Sequence, residues 1–230
     1  MRYLTAVIIM VLLNNTLEAQ TYEIGVMFGG INYIGDVGKT NYISPNKLAI
    51  GGIAKWNRSD RHSFRASLLY TQLSANDADS DEARRKQRGY SFDNSMIEGS
   101  LGLEFTFKEW NLHTFKKQFT PYLYTGITGF LAHDMGLNSN GEISTQKRKL
   151  DFAIPMVFGA KYTLTTDLIL AAEIGARYTF TDNLDGSNPE EFDDGKNLTS
   201  FGNPNTNDWY MFTGITLTYT FGRKPCYCNF

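Results

Sequence analysis

Two thiols and eight ionisable side chains are the residues of this chain whose types and spacing could do chemistry. The only cysteines among 230 residues, Cys226 and Cys228, sit in the closing stretch "TYTFGRKPCYCNF". A ring closed across one intervening residue is small and strained, and Pro225 favours an extended conformation at the residue before it. A disulfide to another chain is therefore one reading of the pair, and a strained or reduced pair of no consequence is the other. Arg223 and Lys224 precede the thiols and suit docking to an acidic surface, or are ordinary charges at a membrane edge. The eight ionisable residues are Glu23, Lys55, Arg65, Glu98, Glu104, Lys161, Glu173 and Arg177, four acids against four bases.

Catalytic and ligand motifs are not found beside them. The three histidines are His62, His113 and His133. The first two fall on expected turns, and His133 stands beside Asp134 with Ser139 and Ser144 following, in no pattern of nucleophile and base. The "DNLDGSN" stretch at 182–188 has the acid spacing of the start of a calcium loop but lacks the closing Glu of an EF-hand, so it reads as a polar turn. Asn57 and Asn197 match a glycosylation pattern. The expectation is no enzyme, no cofactor and no metal. A net charge of −2 makes no electrostatic case for nucleic acid.

The chain opens "MRYLTAVIIMVLLNNTLEAQ". Arg2, an apolar run over 4–13 and Ala19 make the pattern of a secretory signal over 1–19. Its apolar run of about ten residues is half of what a spanning helix needs. No later run approaches that length, so entry into a membrane would be by strands.

Period-two alternation supplies those strands. In "YEIGVMF", Tyr22, Ile24, Val26 and Phe28 oppose Glu23 and Gly25. In "SFRASLLY", Phe64, Ala66, Leu68 and Tyr70 oppose Arg65 and Ser67. In "MIEGSLGLEFTF", Ile97, Leu101, Leu103, Phe105 and Phe107 oppose Glu98 and Glu104. In "LILAAEIGARYTF", Leu168, Leu170, Ala172 and Ile174 oppose Glu173, Gly175 and Arg177, and "FAIPMVFGAKYTL" and "DWYMFTGITLTYTF" alternate likewise. With 21–34, 46–57, 62–74, 94–108 and 120–132, the total is eight strands; "PYLYTGITGFL" has bulky residues in both registers. The fold expected is all-β: an eight-stranded antiparallel transmembrane barrel over 20–222, preceded by the signal and followed by a tail over 223–230.

All eight ionisable residues fall on the polar faces. Unpaired buried charges are too costly for an apolar core, so the polar faces point into a barrel just wide enough to be filled by side chains. The expected interior is a network of paired charges, with a pore or proton path as the functional alternative. Connections alternate in length. Long loops follow strands one, three, five ("HDMGLNSNGEISTQKRK") and seven, whereas "NRSDR", "KEWNLHTFKKQ" and "TTD" are turns. By the habit of outer-membrane barrels the long loops face outward and both termini lie in the periplasm. The "HTFKKQF" stretch of the middle turn is basic and aromatic and reads as a solvated loop or a docking site.

"EIGVMFGGINYIGDV", "GLEFTF", "FTPYLYTGITGFLAHD" and "ARYTFTDNLDG", in that order, resemble the small outer-membrane barrels that include PorG of the type IX secretion system. Gly35, Asp36 and Asp182 stand at positions matching the family's pattern; "DNLDG" departs from it by lacking a second acid after the Asp. The resemblance implies a Bacteroidota-type outer membrane and a non-enzymatic accessory role in protein export or gliding. It also implies a periplasmic ring partner, built from the lipoprotein PorK with PorN, to which Cys226 or Cys228 would be stapled. The alternative is an autonomous barrel with an adhesive or lipid-modifying role for its loops.

Overall fold

Residues that alternate apolar and polar along a strand put the apolar set on one face of the sheet, and here that face is the outer one. A computed structural model describes residues 21–114, 116–137, 143–189, 200–203 and 205–222, without the side chains of 144 and 146. The segment 1–19, the tail 223–230, Ser139 and Asn197 lie outside it. Eight antiparallel strands close on themselves in sequence order: β1 (Thr21–Ile34), β2 (Lys47–Asn57), β3 (His62–Asn76), β4 (Ser91–Thr106), β5 (Phe119–Leu137), β6 (Ile143–Thr163), β7 (Leu168–Thr179) and β8 (Trp209–Phe221). The seam between β1 and β8 runs in unbroken register from Tyr22 opposite Phe221 to Ile34 opposite Trp209, so no strand edge is left open. Tight curvature has a local cause between β4 and β5. Gly102 faces Gly126, and a Cβ on either would come within 2.1 Å of a carbonyl oxygen of the other strand.

The two faces are the ones the alternation predicts. Ile24, Val26, Leu68, Leu101, Ile127, Ile215 and Leu217 are exposed on the outer wall. Aromatic pairs mark both rims of this belt. Tyr22 stacks on Phe221 at 5.8 Å and Trp56 meets Phe64 at 5.4 Å near one end, while Tyr178 meets Trp209 at 4.9 Å near the other. An aliphatic band between aromatic girdles is the outer surface of a barrel made for a bilayer.

Three details depart from the sequence reading. The connection after β5 is mostly ladder: β5 continues to Leu137 and β6 begins at Ile143, with a register shift between His133 and Met135. Its run of polar residues reads as a loop because the arm's inner contacts fall on few side chains: Met135 joins the interior cluster, Leu137 is buried and Ile143 packs against the cluster. In β5 the register left open resolves with Tyr122, Tyr124, Thr128 and Phe130 inward and Leu123, Ile127 and Leu131 outward. The connection from β3 to β4 contains a 3-10 turn (Asp77–Asp79) and a short helix, α1 (Ala83–Arg88), that ends on Gly89 at φ 73°.

Candidate functional site

The end of the barrel where the short connections lie, and where β1 starts and β8 ends, is here the turn end, and the opposite one the loop end. Near the turn end and the middle, the eight ionisable residues are all buried, each at 3% exposure or less. They form three charged groups. Glu104 lies 2.8 Å from Lys55 Nζ through Oε2 and accepts from Lys161 Nζ at 2.7 Å through Oε1. Arg65 donates from Nη1 and Nη2 to the two oxygens of Glu173 at 2.8 and 2.9 Å, and Tyr122 donates to Glu173 at 2.7 Å. Arg177 Nη2 donates to Glu98 at 3.4 Å, and Tyr210 and Ser100 complete that carboxylate at 2.9 and 3.1 Å. Glu23 departs from the expected pairing of four acids with four bases. Its oxygens accept from the neutral Asn57 and Thr218 at 3.0 and 2.8 Å.

Above the charges the interior turns apolar. Met27, Ile31, Leu69, Leu73, Met96, Phe130 and Phe212 are buried at 1% exposure or less and form one cluster with Tyr33, Phe92 and Leu184. The sequence hid this layer, because its members share the polar faces with Glu, Lys and Thr. Beneath the charges the middle turn folds inward. Trp110 and Leu112, at 3% exposure, pack on Ile169, and Lys161 Nζ stands 4.8 Å from the Trp110 ring. Only the basic remainder of that turn, with Lys116 and Lys117 exposed, is solvated as expected.

The loop end is a built structure. Asp77, fully buried, accepts from the backbone of Gly38 at 2.9 Å and of Tyr90 at 3.0 Å, and from Arg88 Nε at 2.7 Å and Nη2 at 3.0 Å. Arg88 also reaches the Asp36 carbonyl at 2.7 Å and lies against the Tyr90–Phe201 ring pair, 5.0 and 4.9 Å from the two centroids. One guanidinium thus ties the first, second and fourth loop-end connections together. Its proton is held more firmly than usual by Asp77, against the cost of burial.

Next to this knot four aspartates gather. Tyr33 hydrogen-bonds Asp208 Oδ1, and Asp208 Oδ2 accepts from Leu184 N at 2.9 Å. Asp185 Oδ1 accepts from Ser187 N at 2.9 Å, and Asp36 Oδ2 from Asn203 N at 2.9 Å. Burial first, then the neighbouring carboxylates, push Asp208 well above the ordinary carboxylate range; burial also raises Asp185. Asp182 is raised to about 7 by desolvation, Asp36 and Asp185. Gly186, at φ 81°, turns the 182–187 segment against Ile143 and Gly136 of the β5–β6 arm. The signal for this cluster was present as "DNLDGSN"; Asp77, Arg88, Tyr33, Asp208 and Trp110 carried none, since their partners are distant in sequence.

The histidines have polar neighbours among the described residues. His62 Nδ1 is 3.3 Å from Ser59 Oγ at the turn end, and His133 meets Ser95 at 3.5 Å and Arg148 at 3.3 Å. The backbone N–H of His113 donates to Asn111 Oδ1 at 2.9 Å. Arg223, Lys224, Cys226 and Cys228 lie outside the described residues.

A family model described as "Domain of unknown function (DUF6089)" matches residues 1–230. No curated protein matches the chain. Similar solved structures include the N-terminal β-barrel domain of OprF from Pseudomonas aeruginosa, at 12% identity and a TM-score of 0.47 over 89% of this chain and 98% of that one. Neisserial surface protein A (NspA) is similar at 10% identity and a TM-score of 0.45, over 89% and 98%. Ail, the attachment invasion locus protein of Yersinia pestis, is similar at 10% identity and a TM-score of 0.42, over 88% and 97%.

Proposed function

The chain belongs to the DUF6089 family, and on that footing we propose that it is an outer-membrane barrel that acts as an anchor and not as a conduit or an enzyme. The carrying observation is the filled interior: three layers, Trp110 below, the charge network between and the apolar cluster above, occupy the space a conduit needs. An apolar wall with two aromatic girdles supports residence in a bilayer, and the outer membrane is where such barrels live. The long connections then face outward, and the turn end with both termini faces the periplasm.

In this reading the protein is an accessory of the type IX secretion system that holds a periplasmic lipoprotein ring, PorK-like with PorN, against the outer membrane for export or gliding. Support comes from the ordered resemblance of four strand motifs. It comes also from the exposed turn end, where Arg58, Arg61, Lys108, Lys116 and Lys117 outweigh Asp60, Glu109 and Asp167. In this proposal Arg223 and Lys224 of the tail would supply further positive charge to the partner, and Cys226 or Cys228 would staple the two covalently.

Non-reducing electrophoresis of outer membranes tests the staple, with the native protein beside one carrying Cys226→Ser and Cys228→Ser. The expected result is a higher-mass species that vanishes on reduction and in the variant. Deleting 223–230 should then impair secretion while the barrel still reaches the membrane. Intact secretion without the tail would sink the anchoring role and turn attention to the loops.

A further inference from the structure

At the loop end, four oxygens from three residues of the 182–185 turn are buried without a hydrogen-bond donor: Asp182 Oδ1, Asp182 Oδ2, Asn183 Oδ1 and Asp185 Oδ2. Asp185 is fully buried and Asn183 only 6% exposed. Acceptors stripped of water and left without donors cost free energy wherever they stand, and carboxylates crowded together cost more. The chain nonetheless builds this turn with care. Ser187 Oγ donates to the Asp182 carbonyl at 3.1 Å while Ser187 N holds Asp185 Oδ1, so both acids are fixed from one residue. Gly202 closes over it: a Cβ there would meet Asp36 Oδ2 at 2.4 Å and Ser187 Cβ at 2.6 Å, which sets Asp36 against the same turn. Arg88, within electrostatic reach of Asp36 and Asp185, is already committed to Asp77.

We propose that the Asp182–Asp185 turn, with Asp36 beside it, binds a calcium ion. Donor-free oxygens of this kind, two carboxylates and one amide, are what a hard cation takes. Among the described residues no three His, Cys, Asp or Glu side chains are gathered tightly enough to hold an ion by themselves. Backbone carbonyls and water would have to complete the shell, which calcium accepts with its six to eight oxygens in flexible geometry, whereas magnesium demands a near-ideal octahedron. The ion would tie the fourth connection to the first. This inference is independent of the secretion role and stands or falls without it.

The test uses the full chain folded in detergent, stripped with a chelator and titrated with calcium chloride by calorimetry. Terbium emission sensitised through tyrosine is the second readout, because Tyr33 touches Asp208 beside the turn. The expected result is one site, with calcium affinity reduced roughly tenfold or more in Asp182→Asn and in Asp185→Asn, as charge count at the site falls. Asp93→Asn, which removes a surface partner of Lys47, serves as the control and should bind like the native chain. Folding of every variant is checked by heat-modifiable gel mobility; if the Asp182 and Asp185 variants misfold, Asp36→Asn takes their place. Absence of calcium binding and of sensitised emission in the folded native chain overturns the proposal. So does equal affinity in the folded variants.

Discussion

Arg65 and Glu173 stand 108 residues apart in the sequence and clasp each other through two parallel hydrogen bonds at 2.8 and 2.9 Å in the barrel interior. β3 and β7 lie on opposite sides of the barrel, so the pair spans its interior and braces walls that share no ladder. Its surroundings are as fixed as its geometry: Tyr122 completes Glu173, and the Arg65 guanidinium lies 4.5 Å from the Tyr124 ring.

Removing one partner should therefore cost more than the pair contributes. Arg65→Ala leaves Glu173 buried and unpaired, a change that typically costs about 3–5 kcal/mol. Replacing both residues by apolar side chains of similar volume should restore most of that loss. Urea unfolding of the detergent-folded barrel, followed by gel mobility, measures both. A double variant as unstable as Arg65→Ala would disprove the account.

The same pair shows how much was legible. Each strand's alternation placed Arg65 and Glu173 inside, because period two assigns a face from neighbours alone. It did not say that they meet, nor that Glu23 would rely on Asn57 and Thr218. Pairing across a barrel depends on register and tilt, which no single strand encodes. The apolar layer of Met27, Leu69 and Phe130 was hidden for a related reason: inward positions near the loop end need no charge once the loops cover them. Asp77 with Arg88 went unseen because the ten intervening residues close on themselves only after α1 forms.

Arg88 is expected to control the order of the loop end. Arg88→Ala strands Asp77, whose charge-assisted hydrogen bonds are each worth about 1.5–3 kcal/mol. Local opening should become about tenfold or more frequent, since about 1.4 kcal/mol is a factor of ten. Arg88→Lys should rescue only in part, because an ammonium cannot reproduce the forked contact. Limited proteolysis at residues 77–90 reads the effect, and cleavage equal to the native rate in Arg88→Ala would refute it.

The aspartates set a pH dependence of known sign. Asp182, Asp185 and Asp208 have folded-state values above the unfolded carboxylate value, Asp182 at about 7. Below pH of about 4 they are protonated in both states and contribute no difference. As pH rises toward 7 the unfolded carboxyls ionise while the folded ones resist, so the loop end loses stability across that window. In chelator, amide exchange at residues 182–187, corrected for its intrinsic rate, should show protection falling from pH 5 to pH 8. Rising protection would contradict the burial of this cluster.

Closure of the interior can be tested directly. The native barrel in a planar bilayer should pass no steady current, because ions meet Trp110, then the paired charges, then Met27, Leu69, Phe130 and Phe212. Trp110→Ala removes the lowest layer and exposes Lys161 to the aqueous side, yet it should remain silent. The ion must still shed much of its hydration to pass Met27, Leu69, Phe130 and Phe212, and those apolar side chains do not repay that loss. Conductance is expected only when that layer is also breached, as in Trp110→Ala combined with Phe130→Ser and Phe212→Ser. Steady conductance in the native chain, or in Trp110→Ala alone, would mean that the interior is not the closed stack on which an anchoring role depends.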